Sequence, residues 1–189
     1  MVRLGSKLLL EHKDRPTMRV VIADAGPLIA LARIGQLNLL PQLFANVAVT
    51  KTVAMEVSQG GDFPDTQAIA EALAQPWLKT VTQSATDIAL CQAWLDLYQI
   101  DQGEASSMVL AKHYQAQEDT PLLLIDDARG RYAATHETIP VLGTAGMLVL
   151  AKKAGWVSAV KPLLSALQQN HYFLSATLVA AVLAQANEQ

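Results

Sequence analysis

The sequence predicts a three-layer α/β/α domain on a central parallel sheet, with further helices closing the C-terminal end. Three observations carry that reading. Short β-rich runs alternate with helical patterns along most of the 189 residues. The run Leu122–Ile125 (LLLI) is apolar without alternation, as a strand covered on both faces should be. The composition, 51% hydrophobic but only 5% aromatic, favours helix-rich packing over an all-β sandwich.

The elements follow in order. Arg19–Ala23 (RVVIA) reads as a strand that Asp24-Ala25-Gly26-Pro27 interrupts. Pro27 suits the first position of a helix, and Leu28, Leu31 and Ala32 continue at helical spacing. Leu37–Phe44 is expected to form a short helix and Asn46–Thr50 (NVAVT) a second strand. Thr50 or Thr52 is positioned to cap a helix that carries Glu56 and stops at Gly60-Gly61. A helix over Asp65–Ala74, a strand over Pro76–Val81 and helices over Asp87–Tyr98 and Gln102–Ala116 come next. After the LLLI strand, a helix is expected over Asp127–His136 and a short strand over Ile139–Leu142. Three helices near Thr144–Lys153, Ser158–Gln168 and Ser175–Ala186 end the chain.

The length suits one domain, expected over residues 18–189, with residues 1–17 expected to be a frayed extension. No apolar run reaches the roughly 18 to 20 residues that span a bilayer, and no signal-peptide pattern opens the chain, so a cytoplasmic protein is expected. The single cysteine, Cys91, excludes an internal disulfide. It lies in a stripe with Leu90, Trp94 and Leu95 and reads as a core thiol. The net charge of −3 argues against a passive nucleic-acid binder with a basic face, but not against an enzyme that gathers its acids in one pocket.

In parallel α/β sheets, ligands bind beyond the carboxyl ends of the strands. Asp24 follows the first strand directly, and Asp126 and Asp127 follow LLLI directly, so these acids share one rim. Glu56 borders the apolar stripe of Val53 and Val57. Glu104 opens a helix whose Met108 and Ala111 continue its core-facing side, whereas Lys112, Gln115 and Glu118 fall on the face expected in water. Each acid alone is as readily a helix cap or a solvated side chain. Together they would repel and resist desolvation unless a cation balances them, and all-oxygen ligands suit Mg²⁺ or Mn²⁺. Such clusters are common equipment for cutting phosphodiesters.

Other chemistries lack their motifs. There is no Gly-x-Gly-x-x-Gly after the first strand, no glycine loop ending in Gly-Lys-Ser/Thr, and no Asp-x-Asp on the first strand. The four histidines are dispersed without zinc spacing. Lys152, Lys153 and Lys161 read as a solvated face with phosphate contact as the alternative.

The series VVIADAGPLIALARIGQLNLL, VAVTKTVAMEV, IDQGEASSMVLA, LLLIDDARGR and VLGTAGMLVLAKKAG resembles PIN-domain proteins, and more narrowly a prokaryotic branch related to the toxin nucleases of toxin–antitoxin pairs. The resemblance spans about Arg19 to Leu183. It implies a PIN-like α/β/α fold, a Mg²⁺- or Mn²⁺-binding acid quartet, and cleavage of an RNA substrate. Residue by residue, the quartet falls on Asp24, Glu56, Glu104 and either Asp126 or Asp127. Asp24, Glu104, Asp126 and Asp127 are the expected metal ligands, and Arg131 matches a recurrent basic position that would pair with an acid or a substrate phosphate. Ala25, where a polar residue is frequent, and Thr50, where proline is frequent, depart from the pattern.

An antitoxin protein is an implied partner. A homo-oligomer is expected from Leu174–Ala186, which is apolar around most of its circumference. The alternative from another class is a PIN-like scaffold that no longer cuts. Repulsion within the cluster also predicts that Asp126→Asn raises the melting temperature of the metal-free protein.

Overall fold

The structure, a computed structural model, describes residues 20–59, 61 and 63–189; the expected N-terminal extension lies outside them. Five parallel strands form one sheet: β1 (Val20–Ala23), β2 (Asn46–Thr50), β3 (Leu78–Val81), β4 (Leu122–Leu124) and β5 (Val141–Leu142). Their order is β3-β2-β1-β4-β5. The chain therefore winds outward in one direction from β1 and returns to start again on its other side at β4. That reversal makes the carboxyl ends of β1 and β4 the topological switch point of the sheet.

The helices are α1 (Ala25–Arg33), α2 (Leu39–Leu43), α3 (Lys51–Ser58), α4 (Pro64–Leu73), α5 (Ala85–Tyr98), α6 (Gln102–Ala116), α7 (Ala128–His136), α8 (Thr144–Lys153), α9 (Lys161–Gln169) and α10 (Ala176–Gln185). They form two layers, and the strands sort their side chains between them with period 2. Val21, Ala23, Val47, Val49 and Leu124 pack against a core that includes Leu28, Leu31, Leu40, Val53, Ile69, Leu148, Leu167 and Val182, from α1–α4 and α8–α10. Val20, Ile22, Ala48, Leu123 and Ile125 face Cys91, Trp94, Met108, Val109 and Ala133, from α5–α7. The three-layer α/β/α architecture is as the alternation of elements predicts.

Local chemistry sets the element ends. Thr50 caps α3, its hydroxyl accepting from Val53 N at 3.1 Å. Ser84 and Asp87 form a reciprocal capping box at α5, which begins two residues earlier than the sequence pattern suggests. Pro27 is the third helical residue of α1, not the first, which a helix tolerates because N–H groups of the first turn have no intrahelical acceptor.

Two expected faces differ. Leu90 is exposed while Cys91 and Trp94 are buried, because α5 packs on its neighbours through a narrow stripe. Cys91 is the expected core thiol; burial raises its pKa. Lys112 and Gln115 are half-buried rather than solvated: each donates to a carbonyl beyond α7, Lys112 Nζ to Glu137 O and Gln115 Nε2 to Thr138 O, both at 3.1 Å.

No helix among the described residues is long and apolar enough to cross a membrane. On α10 only Val182 is buried, Val179 and Leu183 are half-buried, and Leu178 is exposed, as is Phe173 ahead of the helix. This is the apolar surface on which the expectation of self-association rests.

The C-terminal helices are fastened by Glu188. Its carboxylate accepts from Lys152 Nζ and Val160 N at 2.7 Å and from Lys161 N at 2.8 Å, while Lys161 Nζ binds Gln189 O. Lys152 and Lys161 thus serve this clamp. The lysine bond and the two N–H groups hold the Glu188 pKa down at about 2, from an ordinary 4.5. A depressed carboxylate contributes stability above its unfolded pKa, and that contribution is lost as pH falls through the folded value. Glu188→Gln should therefore melt below the parent at neutral pH, with the gap closing between about pH 4.5 and 2 in calorimetric scans.

Candidate metal centre at the sheet switch point

The switch point is lined by carboxylates. Asp24 is the first residue past β1, and its N–H donates to Leu124 O at 3.0 Å, which ties it to the end of β4. It is 7% exposed and stands at the N-cap of α1, yet its side chain makes no capping bond. Instead Oδ1 accepts from Ser107 Oγ of α6 at 3.3 Å. Burial, then the charge of Asp101, pushes its pKa up to about 7 from 3.8.

Glu104 is 4% exposed in the first turn of α6. A capping box holds it: Asp101 Oδ1 accepts from Glu104 N at 2.8 Å, and Glu104 Oε2 accepts from Asp101 N at 3.0 Å. The carboxyl of Glu104 lies against Gly130, where a Cβ would come within 3.0 Å of Oε1 and 2.5 Å of Ile125 Cδ1. Burial raises its pKa to about 8; the Asp101 N–H opposes this, and the charges of Asp101, Asp127 and Asp24 add to it.

Strand parity separates the two neighbouring aspartates. Asp127 falls on the α6 side beside Glu104. Its Oδ1 caps α7, accepting from Arg129 N at 2.7 Å and Gly130 N at 3.1 Å. Burial works against its ionisation, but these N–H groups and the hydrogen bond with Glu104 hold its pKa below the ordinary value. Asp126 turns to the opposite face and caps α8, accepting from Thr144 N at 2.8 Å and Thr144 Oγ1 at 2.5 Å. Tyr172 lies against it, and burial together with Asp126 keeps that phenol's pKa above its ordinary range. Arg131 joins this second group, with Nη1 donating to Ile125 O at 3.0 Å. The structure thus brings Asp24, Glu104 and Asp127 together and sets Asp126 and Arg131 apart.

Glu56 is exposed on α3 but reaches the same place. A Cβ on Gly103 would lie 2.7 Å from Glu56 Oε2, 3.3 Å from Asp101 Oδ1 and 3.6 Å from Asp24 Oδ1. Three carboxylates therefore converge over a residue that has no side chain. Partial enclosure, then the Asp101 charge, raises the Glu56 pKa. Asp101 is the acid that sequence reasoning left out of the site. The pattern Asp101-x-x-Glu104 is a capping-box signature, and it was the available signal.

The residues fit a divalent cation by their chemistry. The donors are all carboxylate oxygens, and none of the three ion pairs among the described residues (Arg33–Asp65, His136–Glu137, Lys152–Glu188) involves them. No group of three acids, histidines or cysteines among the described residues already stands in ligating geometry, so loading an ion requires side-chain adjustment. The exposed Glu56 has the freedom to supply it, whereas Asp101 is held by its capping bond from Glu104 N.

The family model described as a PIN domain matches residues 20–188. The chain belongs to the PIN-domain family. No curated protein matches it in sequence. PIN domains are of nuclease type, and in this one the acids stand at the switch point where a parallel sheet receives its ligand.

Two outcomes check the electrostatics. Asp24 and Glu104 ionise near 3.8 and 4.5 when unfolded but near 7 and 8 when folded. Across that window the unfolded chain releases protons that the folded protein keeps, so metal-free stability should fall as pH rises, levelling above about 8. In chelator at pH 8, Asp24→Asn should melt above the parent. Asp126→Asn should melt below it by the equivalent of about 1 kcal/mol, because Asp126 caps a helix; this reverses the expectation drawn from the sequence. Gly103→Ala is a separate check. Alanine normally favours a helix interior by up to about 1 kcal/mol. Here its methyl would displace the flexible Glu56 carboxylate, so the variant should stay folded by circular dichroism while Mn²⁺ affinity measured calorimetrically drops.

Proposed function

We propose that this PIN domain is a divalent-metal-dependent ribonuclease that uses Mg²⁺ or Mn²⁺. One observation carries the reading: two buried carboxyls, Asp24 and Glu104, share a rim with Asp101, Glu56 and Asp127, and no cation of the described protein is paired with any of them. Asp24 and Glu104 would hold the ion, with Asp127, Glu56 and Asp101 completing its surroundings. Bound there, the ion would supply charge balance for the phosphodiester oxygens and a lowered pKa for water.

The protein's own residues do the rest. Ser107 orients Asp24 through a hydrogen bond to Oδ1. The Asp101 N–H fixes Glu104, and the N–H groups of Arg129 and Gly130 fix Asp127 as an anion. Glu56 and Asp101, at the exposed edge, would accept a proton from a water approaching the phosphate. Ala25 presents no polar group beside Asp24, so orientation of that water falls to these two. On the sequence resemblance alone we extend the reading to a toxin role with an antitoxin protein as partner.

Purified protein should cleave unstructured RNA with Mn²⁺ or Mg²⁺ and not with chelator. Asp24→Asn and Glu104→Gln should each lower the rate by on the order of 10²-fold or more while remaining folded. Expression of the parent, but not of Asp24→Asn, should arrest growth if the toxin extension holds. A parent that binds RNA and cuts none of it under any of these ions would favour the scaffold that has lost cleavage.

A further inference from the structure

A cleft of about 680 Å³ opens beside the acid rim, between α1, α3, α4 and the end of α9. Its floor is apolar, from Ile29, Val57 and Ile69, and Phe63, Arg33 and His171 stand around it. Glu56 lines this cleft and is also the side chain that converges with Asp24 and Asp101 over Gly103. The cleft and the acid site therefore share a wall.

Its chemistry is selective. Phe63 is 64% exposed, an unusual placement for a large apolar ring, and its backbone is restricted. It is the N-cap of α4 with Pro64 following, at φ −94° and ψ 151°, and a residue before proline has few other conformations. Arg33 binds Asp65 through Nε at 3.0 Å, which leaves its Nη groups directed to no acceptor among the described residues. An apolar floor, an open aromatic face and guanidinium donors are what a nucleobase with its phosphate requires. The volume lies within the range of pockets that enclose small ligands, roughly 300 to 1,000 Å³.

We propose that this cleft seats the base of the nucleotide adjoining the cleaved phosphodiester in single-stranded RNA, with Phe63 stacking on the base and Arg33 meeting a phosphate. It is then the pocket that sets nucleotide preference. The inference rests on the nuclease reading and adds the substrate's position to it. A competing surface exists: Arg129, Tyr132 and His136 share one exposed face of α7 beyond Asp127. It offers no enclosing floor, so the cleft is favoured.

The experiment uses the full chain and a random-sequence single-stranded RNA carrying 4-thiouridine. With Ca²⁺ in place of Mn²⁺, photo-crosslinks should map by mass spectrometry to Phe63 and His171. Phe63→Ala removes the stacking face and Thr66→Trp fills the cleft; each should lower RNA affinity about tenfold. Each should also flatten the nucleotide preference of Mn²⁺-dependent cleavage, with a parent-like circular dichroism spectrum. Crosslinks confined to the Arg129–His136 face, or two folded variants with parental affinity and cleavage pattern, would overturn the proposal while leaving the nuclease reading intact. Thr66→Trp that changes the sedimenting mass without changing RNA binding would assign the cleft to a second copy of the chain and overturn it equally. A parent that neither binds nor cuts RNA overturns both.

Discussion

The burial of two carboxyl groups that no cation among the described residues pairs with is the constraint around which this molecule is arranged. An ionised carboxylate in a protein interior costs several kcal/mol unless hydrogen bonds or a counter-charge replace its water. Asp24 has the Ser107 hydroxyl, and Glu104 has the Asp101 N–H and its hydrogen bond with Asp127. Those are too few, and both pKa values rise in consequence. What help the fold gives comes from helix ends: Glu104 lies in the first turn of α6 and Asp127 at the N-cap of α7, where the positive ends of two helix dipoles meet the rim. Gly103 and Gly130 keep the space open, since a Cβ at either would enter the acid group. Helix α6 packs on β1, β2 and β4 and on α3, so one element carries Glu104, Ser107 and Gly103 to a position that every other contributor also touches.

The fold was legible because it depends on patterns that survive translation into three dimensions. Alternating strands and helices, a strand apolar on both faces and the break at Asp24 are enough to set the layers and the rim. Glu104 was legible too, since Met108 and Ala111 mark its side of the helix as the core side, and both are fully buried. The choice between Asp126 and Asp127 was not. Adjacent strand residues point to opposite faces, but a strand buried on both sides carries no mark of which face is which. Only tertiary packing shows that Ile125 faces α5–α7 and that Asp126 therefore faces α8. Asp101 was missed for another reason: a capping aspartate and a site aspartate look alike in sequence, and here one residue does both.

Because of that parity the Asp126-Asp127 pair joins two faces of the sheet. On one, Asp126 fastens α8 to the end of β4, with Arg131 bonded to Ile125 O alongside and Tyr172 packed against it. On the other, Asp127 caps α7 and stands next to Glu104. Helix α8 and Tyr172 are thereby anchored to Asp126, the residue next to the one whose carboxylate joins the acid rim. A one-residue shift of β4 would leave one of these two places without a carboxylate: moved one way, Ala128 would stand at the rim, and moved the other, Ile125 would face α8. The Thr144 bonds thus protect the register on which the site depends.

Proton and cation are alternatives at this rim. Asp127 is held as an anion by two backbone N–H groups, while Glu104 beside it keeps its proton to about pH 8 and Asp24 to about pH 7. In the metal-free protein at neutral pH the cluster therefore relieves its repulsion by holding protons on its two most buried members. An ion entering the rim must displace them, since carboxylates bind metal deprotonated. The same burial that makes the empty cluster unfavourable also removes the water that would otherwise screen an ion's charge. The exposed partners, Glu56 and Asp101, stay accessible to solvent, so the rim has a buried side that is charge-poor in the metal-free protein and an open side that faces solvent. The cleft lined by Glu56 opens on that side.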